Sequence, residues 1–174
     1  DFQSALLEAG KNNTDGARTA LSQAIAKKPN YTEALSALTD LDVAAGNLDE
    51  AIKTTQSLLS IEANNPGRYY QLGVLERAKG NKVAAAAAFE DAIAIDSQFA
   101  NARYLLALLL LEENDVDAAL VQLRIVRDLN TANTSLNDII NRLESGTSAA
   151  EVLGQNTPAV TEPAPDAEAG GSVA

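Results

Sequence analysis

The sequence predicts an all-α fold, an α-solenoid of antiparallel helix hairpins. Apolar residues make up 46% of the 174 residues but aromatic residues only 4%, so the core must be built from Ala, Leu, Ile and Val. Such a composition favours closely packed helices over a β-sandwich. A 34-residue register also recurs without gaps along the middle of the chain. A repeat of this length, with two helices per unit, is typical of solenoids.

The repeat is clearest when the segment Pro66 to Phe99 is aligned with the segments on either side. Gly46-Asn47 recurs as Gly80-Asn81 and as Asn114-Asp115. Apolar and small positions recur with the same spacing, namely Leu38, Leu72 and Leu106; Ala51, Ala85 and Ala119; Leu58, Ala92 and Val126. We therefore predict full repeats over 32–65, 66–99 and 100–133, preceded by a partial repeat over about 1–31.

Helix boundaries follow from capping residues. Asn65 before Pro66 predicts an N-cap followed by Pro at the first helical position. Asn47 with Glu50 resembles a capping box, and Gly46 and Gly80 are expected to end the first helices of their hairpins. In the partial repeat, the connection "GKNNTDGA" is two residues longer than its counterpart "GNLDEA".

These repeats resemble the tetratricopeptide repeat family. Its pattern of an aromatic residue, Leu-Gly, Ala, Phe and a further Ala is matched by Tyr69, Leu72, Gly73, Ala85, Phe89 and Ala92. Ser97 stands in place of the closing Pro, and Glu76 in place of a second aromatic residue. The flanking repeats match more loosely, at positions that include Leu38, Ala51, Leu106, Ala107 and Ala119. The resemblance covers residues 2 to about 133 and implies a right-handed superhelix of hairpins.

The run "AAAAAFEDA", Ala84 to Ala92, has a structural explanation under this resemblance. The family pattern places Gly73 opposite Ala85, where a larger side chain would push the two helices of the hairpin apart. Phe89 is expected to fill the space that the small residues leave. The other alanines, Ala84, Ala86, Ala87 and Ala88, need only the high helix propensity of alanine.

The C-terminal part is predicted to contain a capping helix and a tail. Over 134–145, "TSLNDIINRLES" places Leu136, Ile139, Ile140 and Leu143 on one helical face, as expected for the cap of a solenoid. From Gly146 the composition becomes rich in Pro and Ala, acidic and free of Lys and Arg. We expect a disordered acidic tail over 146–174. An alternative is that "SAAEVL" within it is a docking motif.

Composition argues against several function classes. The chain has no His and no Cys, so the common general base, the usual metal ligand and the best nucleophile are missing. We expect a non-enzyme with no catalytic residues, cofactor or metal site; in "EENDVD" we interpret Asp115 as an N-cap, not a calcium ligand. The net charge of -11 disfavours nucleic acid, and the longest apolar run, "YLLALLLL", has eight residues, too few to insert across a membrane.

The resemblance implies a binding groove lined by the first helix of each repeat. The implied groove positions include Glu33 and Ser36, together with Asp40, Val43, Tyr70, Val74, Arg77, Tyr104, Leu108 and Leu111. Tyr104, Leu108 and Leu111 form a second apolar stripe beside Leu106, which something must cover. A partner's apolar helix or extended peptide is one candidate. Neighbouring helices or the chain's own tail are the other.

Three functions stay open at this level. The chain can be a scaffold or adaptor that binds another protein. It can be a soluble accessory region of a larger bacterial membrane or envelope protein, for instance one that handles cell-surface polysaccharide, which the Pro-, Ala- and Thr-rich ending loosely resembles. It can also self-assemble through stacked repeat ends. Because Asp1 opens within a predicted helix, we expect further residues upstream. The compartment stays undetermined, either cytoplasmic or the soluble side of a membrane-anchored parent protein.

Overall fold

The computed structural model describes residues 2–11, 13–130 and 133–154, and these residues form helices joined by short turns. The predicted all-α class of helix hairpins is confirmed. In chain order the helices are α1 Phe2–Gly10, α2 Thr14–Lys27, α3 Thr32–Ala44, α4 Leu48–Ile61, α5 Pro66–Ala78, α6 Lys82–Ile95, α7 Ala100–Glu112, α8 Val116–Leu129, α9 Thr134–Glu144 and α10 Ala149–Gly154.

The helix boundaries keep the 34-residue register. First helices begin at 32, 66, 100 and 134, and second helices begin at 14, 48, 82 and 116. The helix starts at 32, 66 and 100 coincide with the first residues of 32–65, 66–99 and 100–133, and the division of the chain into these repeats stays a prediction. The expected two-residue insertion near the N-terminus is wrong, because α1 ends at Gly10, 34 residues before the end of α3 at Ala44. Gly10 is the last residue of a helix and is not the counterpart of Gly46.

The chain forms two compact units, Asp1–Ser97 and Gln98–Ala174, which divide close to the predicted repeat junction at 99/100. In unit 1, consecutive helices pack against each other from α1 to α6. One core cluster there forms around Ala5, Leu21 and Ala34, and another around Ala51, Ile52 and Leu75. In unit 2, α7 packs on α8, α8 on α9, and α10 on both α7 and α9.

The turns after α3, α5 and α7 use left-handed backbone conformations, and Gly46 and Gly80 follow the ends of their helices as expected. Gly46 and Gly80 have φ of 76° and 85°, and Asn114 at the equivalent position has φ of 61°. Glycine, and less readily asparagine, adopts this conformation at the end of a helix. The Asn65 side chain caps α5 by accepting a hydrogen bond from the Gly67 N–H at 3.0 Å. The predicted capping box at Asn47 is wrong, because its side chain makes no cap hydrogen bond and its Nδ2 instead donates to Asp42 at 3.5 Å.

The alanine-rich helix α6 buries one face only. Ala85, Phe89 and Ala92 are fully buried and Ala88 is 3% exposed, whereas Val83 is 81% exposed. The packing explanation for Ala85 and Phe89 therefore holds, and Ala88 belongs to the same buried face instead of serving helix propensity alone. A Cβ atom added to Gly73 would lie 2.5 Å from Cε1 of Phe89. The close neighbour of Gly73 is thus the phenyl ring, which requires a residue without a side chain at this point.

Unit 1 also contains a partly buried ion pair between successive hairpins. Asp42 on α3 is 1% exposed and accepts a hydrogen bond from Nη1 of Arg18 on α2. The pair compensates the buried Asp42 carboxylate, while the Arg18 side chain is 30% exposed and stays in contact with solvent.

A helix, α9, lies at the place predicted for the capping helix, and its residues Leu136, Ile139, Ile140 and Leu143 are all buried. The predicted start of the disordered tail at Gly146 is wrong. Gly146 has φ of 89° and reverses the chain after α9, and α10 then returns to the helices of unit 2 with Ala149 and Val152 each 1% exposed. The apolar residues of "SAAEVL" therefore complete a core. The rest of the expected tail, 155–174, lies outside the described residues.

Candidate protein-interaction surface

The first helices of the three full repeats carry equivalent positions that the sequence assigns to a groove. The 34-residue register aligns Ser36 with Tyr70 and Tyr104, Asp40 with Val74 and Leu108, and Val43 with Arg77 and Leu111. We call these nine residues the first-helix positions. Their exposure differs between the two units, so each unit is considered in turn.

On α3 the first-helix positions are accessible at their C-terminal end. Asp40 is exposed and Val43 is 43% exposed. Ser36 is half-buried, and its hydroxyl accepts a hydrogen bond from Nη2 of Arg68 at 2.8 Å. Arg68 also donates from Nε to Glu62 at 2.9 Å and thereby joins α3, α5 and the turn between α4 and α5.

Sequence reasoning missed Arg68, although a signal was present. The register aligns it with Ala34 and Ala102, two fully buried alanines in the neighbouring repeats. An arginine that replaces a repeating small residue must direct its guanidinium toward polar partners. Ser36 and Glu62 provide them.

On α5 the surface combines an aromatic, an aliphatic and a basic side chain. Tyr70 is half-buried, and its ring centroid lies 6.0 Å from that of Phe89 with the planes tilted by 43°. One part of the Tyr70 ring therefore packs back onto its own hairpin. Val74 is 37% exposed, and Arg77 is half-buried.

The N-terminal end of α3 is acidic and solvent-exposed. Hydrogen bonds from its own backbone N–H and from the Thr32 hydroxyl hold the pKa of the Glu33 carboxyl below the ordinary value of 4.5. Thr32 donates to Oε2 of Glu33 at 3.2 Å. Glu33 thus stays ionised in the first turn of the helix, where a negative charge is favourable.

On α7 the first-helix positions are largely covered. Tyr104 is half-buried and packs against the main core cluster of unit 2, and Leu108 is also half-buried. Leu111 is 2% exposed and belongs to that cluster. The expectation that Leu111 faces a groove is therefore wrong, because side chains from α8, α9 and α10 join it in one core.

The residues that carry the repeat pattern are mostly buried. Ala51, Gly73, Ala85, Phe89, Ala92, Leu106, Ala107 and Ala119 lie in the interior, while Leu38, Tyr69 and Leu72 are half-buried at its edge. The buried members of this set position the helices and are not available to a ligand.

Acidic side chains do not converge on a common point in the part of the chain that the structure describes. No three of them lie close enough together there to hold a metal ion. Asp115 is the N-cap of α8, as predicted, and accepts a hydrogen bond from the Ala118 N–H at 3.1 Å. Within the same residues, none of the helices is both long and apolar enough to cross a membrane.

Hairpins with a fixed register of small and aromatic residues define a helical-repeat protein, and comparison with family models gives the family. Two models described as tetratricopeptide repeat match residues 6–73 and 70–128, which together span most of the chain. The chain belongs to the tetratricopeptide repeat family.

Solved structures show the same fold at low identity. MamA protein matches with a TM-score of 0.73 and 22% identity over 88% of this chain and 86% of its own. YrrB, described as a tetratricopeptide repeat protein with an unusual peptide-binding site, matches with a TM-score of 0.67 and 16% identity over 89% and 86%. A tetratricopeptide repeat protein from Parabacteroides merdae ATCC 43184 has a TM-score of 0.73 and 15% identity over 89% and 66%. A search among curated proteins finds no match.

Proposed function

We propose that this chain is a non-catalytic interaction module that binds a peptide or an amphipathic helix of a partner protein on the first helices of unit 1. One observation carries the proposal. Val43 and Val74, two apolar side chains at first-helix positions, are 43% and 37% exposed, next to the charged residues Asp40 and Arg77. Exposed apolar groups interspersed with charge suit the apolar face and polar edges of an amphipathic ligand.

Family membership supports this proposal. Tetratricopeptide repeat proteins commonly present the first helices of their repeats to a peptide, and the similar structure of YrrB is described as having a peptide-binding site. The absence of His and Cys from the sequence favours binding over acid–base or nucleophilic chemistry.

A peptide-display selection against the full chain tests the proposal. We expect selected peptides to contain spaced apolar residues and to lose at least about tenfold in affinity for Val74→Glu, since a buried carboxylate opposite an apolar group is unfavourable. Val83→Glu on α6 is the matched control, because Val83 is 81% exposed on a second helix. Selected peptides that bind Val74→Glu and Val83→Glu equally well would contradict the proposal.

Self-association is a second candidate, which one observation on α1 favours. Leu6 and Leu7 are 56% and 61% exposed on the same helix. A second copy of the chain could bury both by packing a helix against α1. Sedimentation equilibrium would then give a mass that rises with concentration for the native chain and stays monomeric for Leu6→Glu/Leu7→Glu. A concentration-independent monomer mass would rule this candidate out.

The role of an accessory region in a larger envelope protein stays a prediction.

A further inference from the structure

The C-terminal helix α10 lies against first helices of unit 2. Its packing partners are α7, the first helix of the third full repeat, and α9, which begins 34 residues later and so takes the place of the next first helix. The second helices α2, α4, α6 and α8 pack instead on the first helix of their own hairpin, and α2, α4 and α8 also pack on the first helix that follows. The placement of α10 therefore differs from that of another repeat helix and corresponds to the side where first helices are presented.

Comparison of equivalent positions shows a difference in exposure between the repeats. Val43 on α3 is 43% exposed, whereas its counterpart Leu111 on α7 is 2% exposed. Val74 on α5 is 37% exposed, whereas its counterpart Leu108 is half-buried. Unit 2 covers positions that unit 1 leaves open, and α10 packs on the helix that carries them.

Helix α10 is attached to unit 2 through a few apolar side chains. Ala149 and Val152 are each 1% exposed in the unit 2 core, and Leu153 packs against the same cluster. Ser148 and Glu151 form a capping box, in which the Ser148 N–H donates to Oε2 of Glu151 at 3.2 Å and the Glu151 N–H donates to Oγ of Ser148 at 3.3 Å. A helix of six residues is far too short to be stable alone, so it exists only while docked.

We propose that α10 occupies in cis the unit 2 surface at which an amphipathic helix of a partner protein binds, so that the partner must displace it. This inference rests on the proposed function and extends it to unit 2. The partner helix would carry the pattern that α10 shows, a small residue, a β-branched residue three positions later and a leucine next to it, as in Ala149, Val152 and Leu153. Docking in cis competes with a separate ligand through the high local concentration that the short connection 145–148 imposes.

The test uses the full chain and a synthetic peptide, acetyl-TSAAEVLG-amide, which reproduces residues 147–154. Val152→Asp should release α10, and Ala150→Asp is the matched control, since Ala150 is exposed on the same helix. In NMR titrations we expect the peptide to shift amide signals of α7 and α9 in Val152→Asp, with an affinity at least about tenfold higher than for the native chain and for Ala150→Asp. A peptide with Asp in place of the valine should cause no shifts. Equal affinity for all three chains, or no binding to Val152→Asp, would overturn the inference.

Hydrogen exchange on the native chain provides a second measurement that needs no substitution. We expect the α10 amides to exchange at least about tenfold faster than those of α8, through an opening that leaves α7, α8 and α9 folded. Equal protection would show that α10 is an integral part of the core and would overturn the inference. In the titrations described above, loss of the folded α7–α9 signals in Val152→Asp would have the same meaning. Failure of the unit 1 peptide selection contradicts only the proposed function, because the α10 peptide is read out on α7 and α9.

Discussion

The contact between Gly73 and Phe89 gives the most direct test of how the small residues position these helices. A Cβ at residue 73 would lie 2.5 Å and 2.6 Å from Cε1 and Cδ1 of the phenyl ring, about 1 Å closer than ordinary carbon contacts. Phe89 is fully buried, so its ring has no free space into which to move. Overpacking of this kind costs about 1–3 kcal/mol.

Gly73→Ala has a second effect that must be separated from the first. Replacement of a mid-helix glycine by alanine favours the helix by about 1 kcal/mol and would mask part of the clash. A double-mutant cycle with Phe89→Leu removes this contribution, because the helix propensity change is the same in both backgrounds. We expect a coupling energy of about 1–3 kcal/mol between the two substitutions from urea unfolding followed by circular dichroism.

The control is Gly10, the last residue of α1. An added Cβ there would have no atom within 4 Å, so Gly10→Ala should change the free energy of unfolding by no more than about 0.5 kcal/mol. A coupling energy near zero between Gly73→Ala and Phe89→Leu would refute the reasoning, since it would mean that the ring does not limit the size of residue 73.

Four further predictions concern individual side chains. Ala85→Leu, at a fully buried position, should lower the free energy of unfolding by about 1–3 kcal/mol, whereas Ala84→Leu, at the exposed neighbouring position, should be nearly neutral. Equal effects of the two substitutions in urea melts would contradict the packing of α6. Gly80→Ala should lower the free energy of unfolding by about 1–2 kcal/mol, because φ of Gly80 is 85°. Gly80→Asn should lower it by less, because Asn114 already adopts φ of 61° at the equivalent position, and an asparagine variant no more stable than the alanine variant would contradict this reasoning. Asp42→Asn should destabilise by about 1–2 kcal/mol, because a hydrogen bond to a buried carboxylate is lost while Arg18, 30% exposed, stays partly hydrated. Asp40→Asn, at an exposed site, should have little effect in the same melts. The pKa of the Glu33 carboxyl, measured by NMR titration, should lie below 4.5. Because its folded pKa is lowered, the stability that Glu33 contributes is present above about pH 4.5 and is lost as the pH falls through the folded pKa. A measured midpoint at or above 4.5 would disprove the capping interaction.

Local chemistry in the sequence was sufficient to predict the repeat register. Pro66 after Asn65, and glycine at 46 and 80, act on the backbone within a few residues, so helix ends could be predicted without knowledge of the tertiary structure. Alanine likewise recurs at 51, 85 and 119 because each hairpin needs a small residue where its two helices pack closely, and all three alanines are fully buried. The hairpin class follows from this periodicity, whereas the family is shown by the matches to family models over 6–73 and 70–128.

Which first-helix positions are open was decided by the tertiary structure. In α7 the segment "YLLALLLL" is apolar on every side, so periodicity cannot distinguish Leu111, which is buried, from Leu108, which is half-buried. Helix α10 contributes Ala149 and Val152 to the same core as Leu111, and its six residues are stable as a helix only when Val152 reaches that core. Six residues are too few for a hydrophobic period, although the spacing of Ser148 and Glu151 is that of a capping box. Arg68 is similar, because its partners Ser36 and Glu62 meet only when α3 and α5 are packed in the same unit. Short-range signals define where helices begin and end, whereas burial of a side chain depends on residues that are distant in sequence.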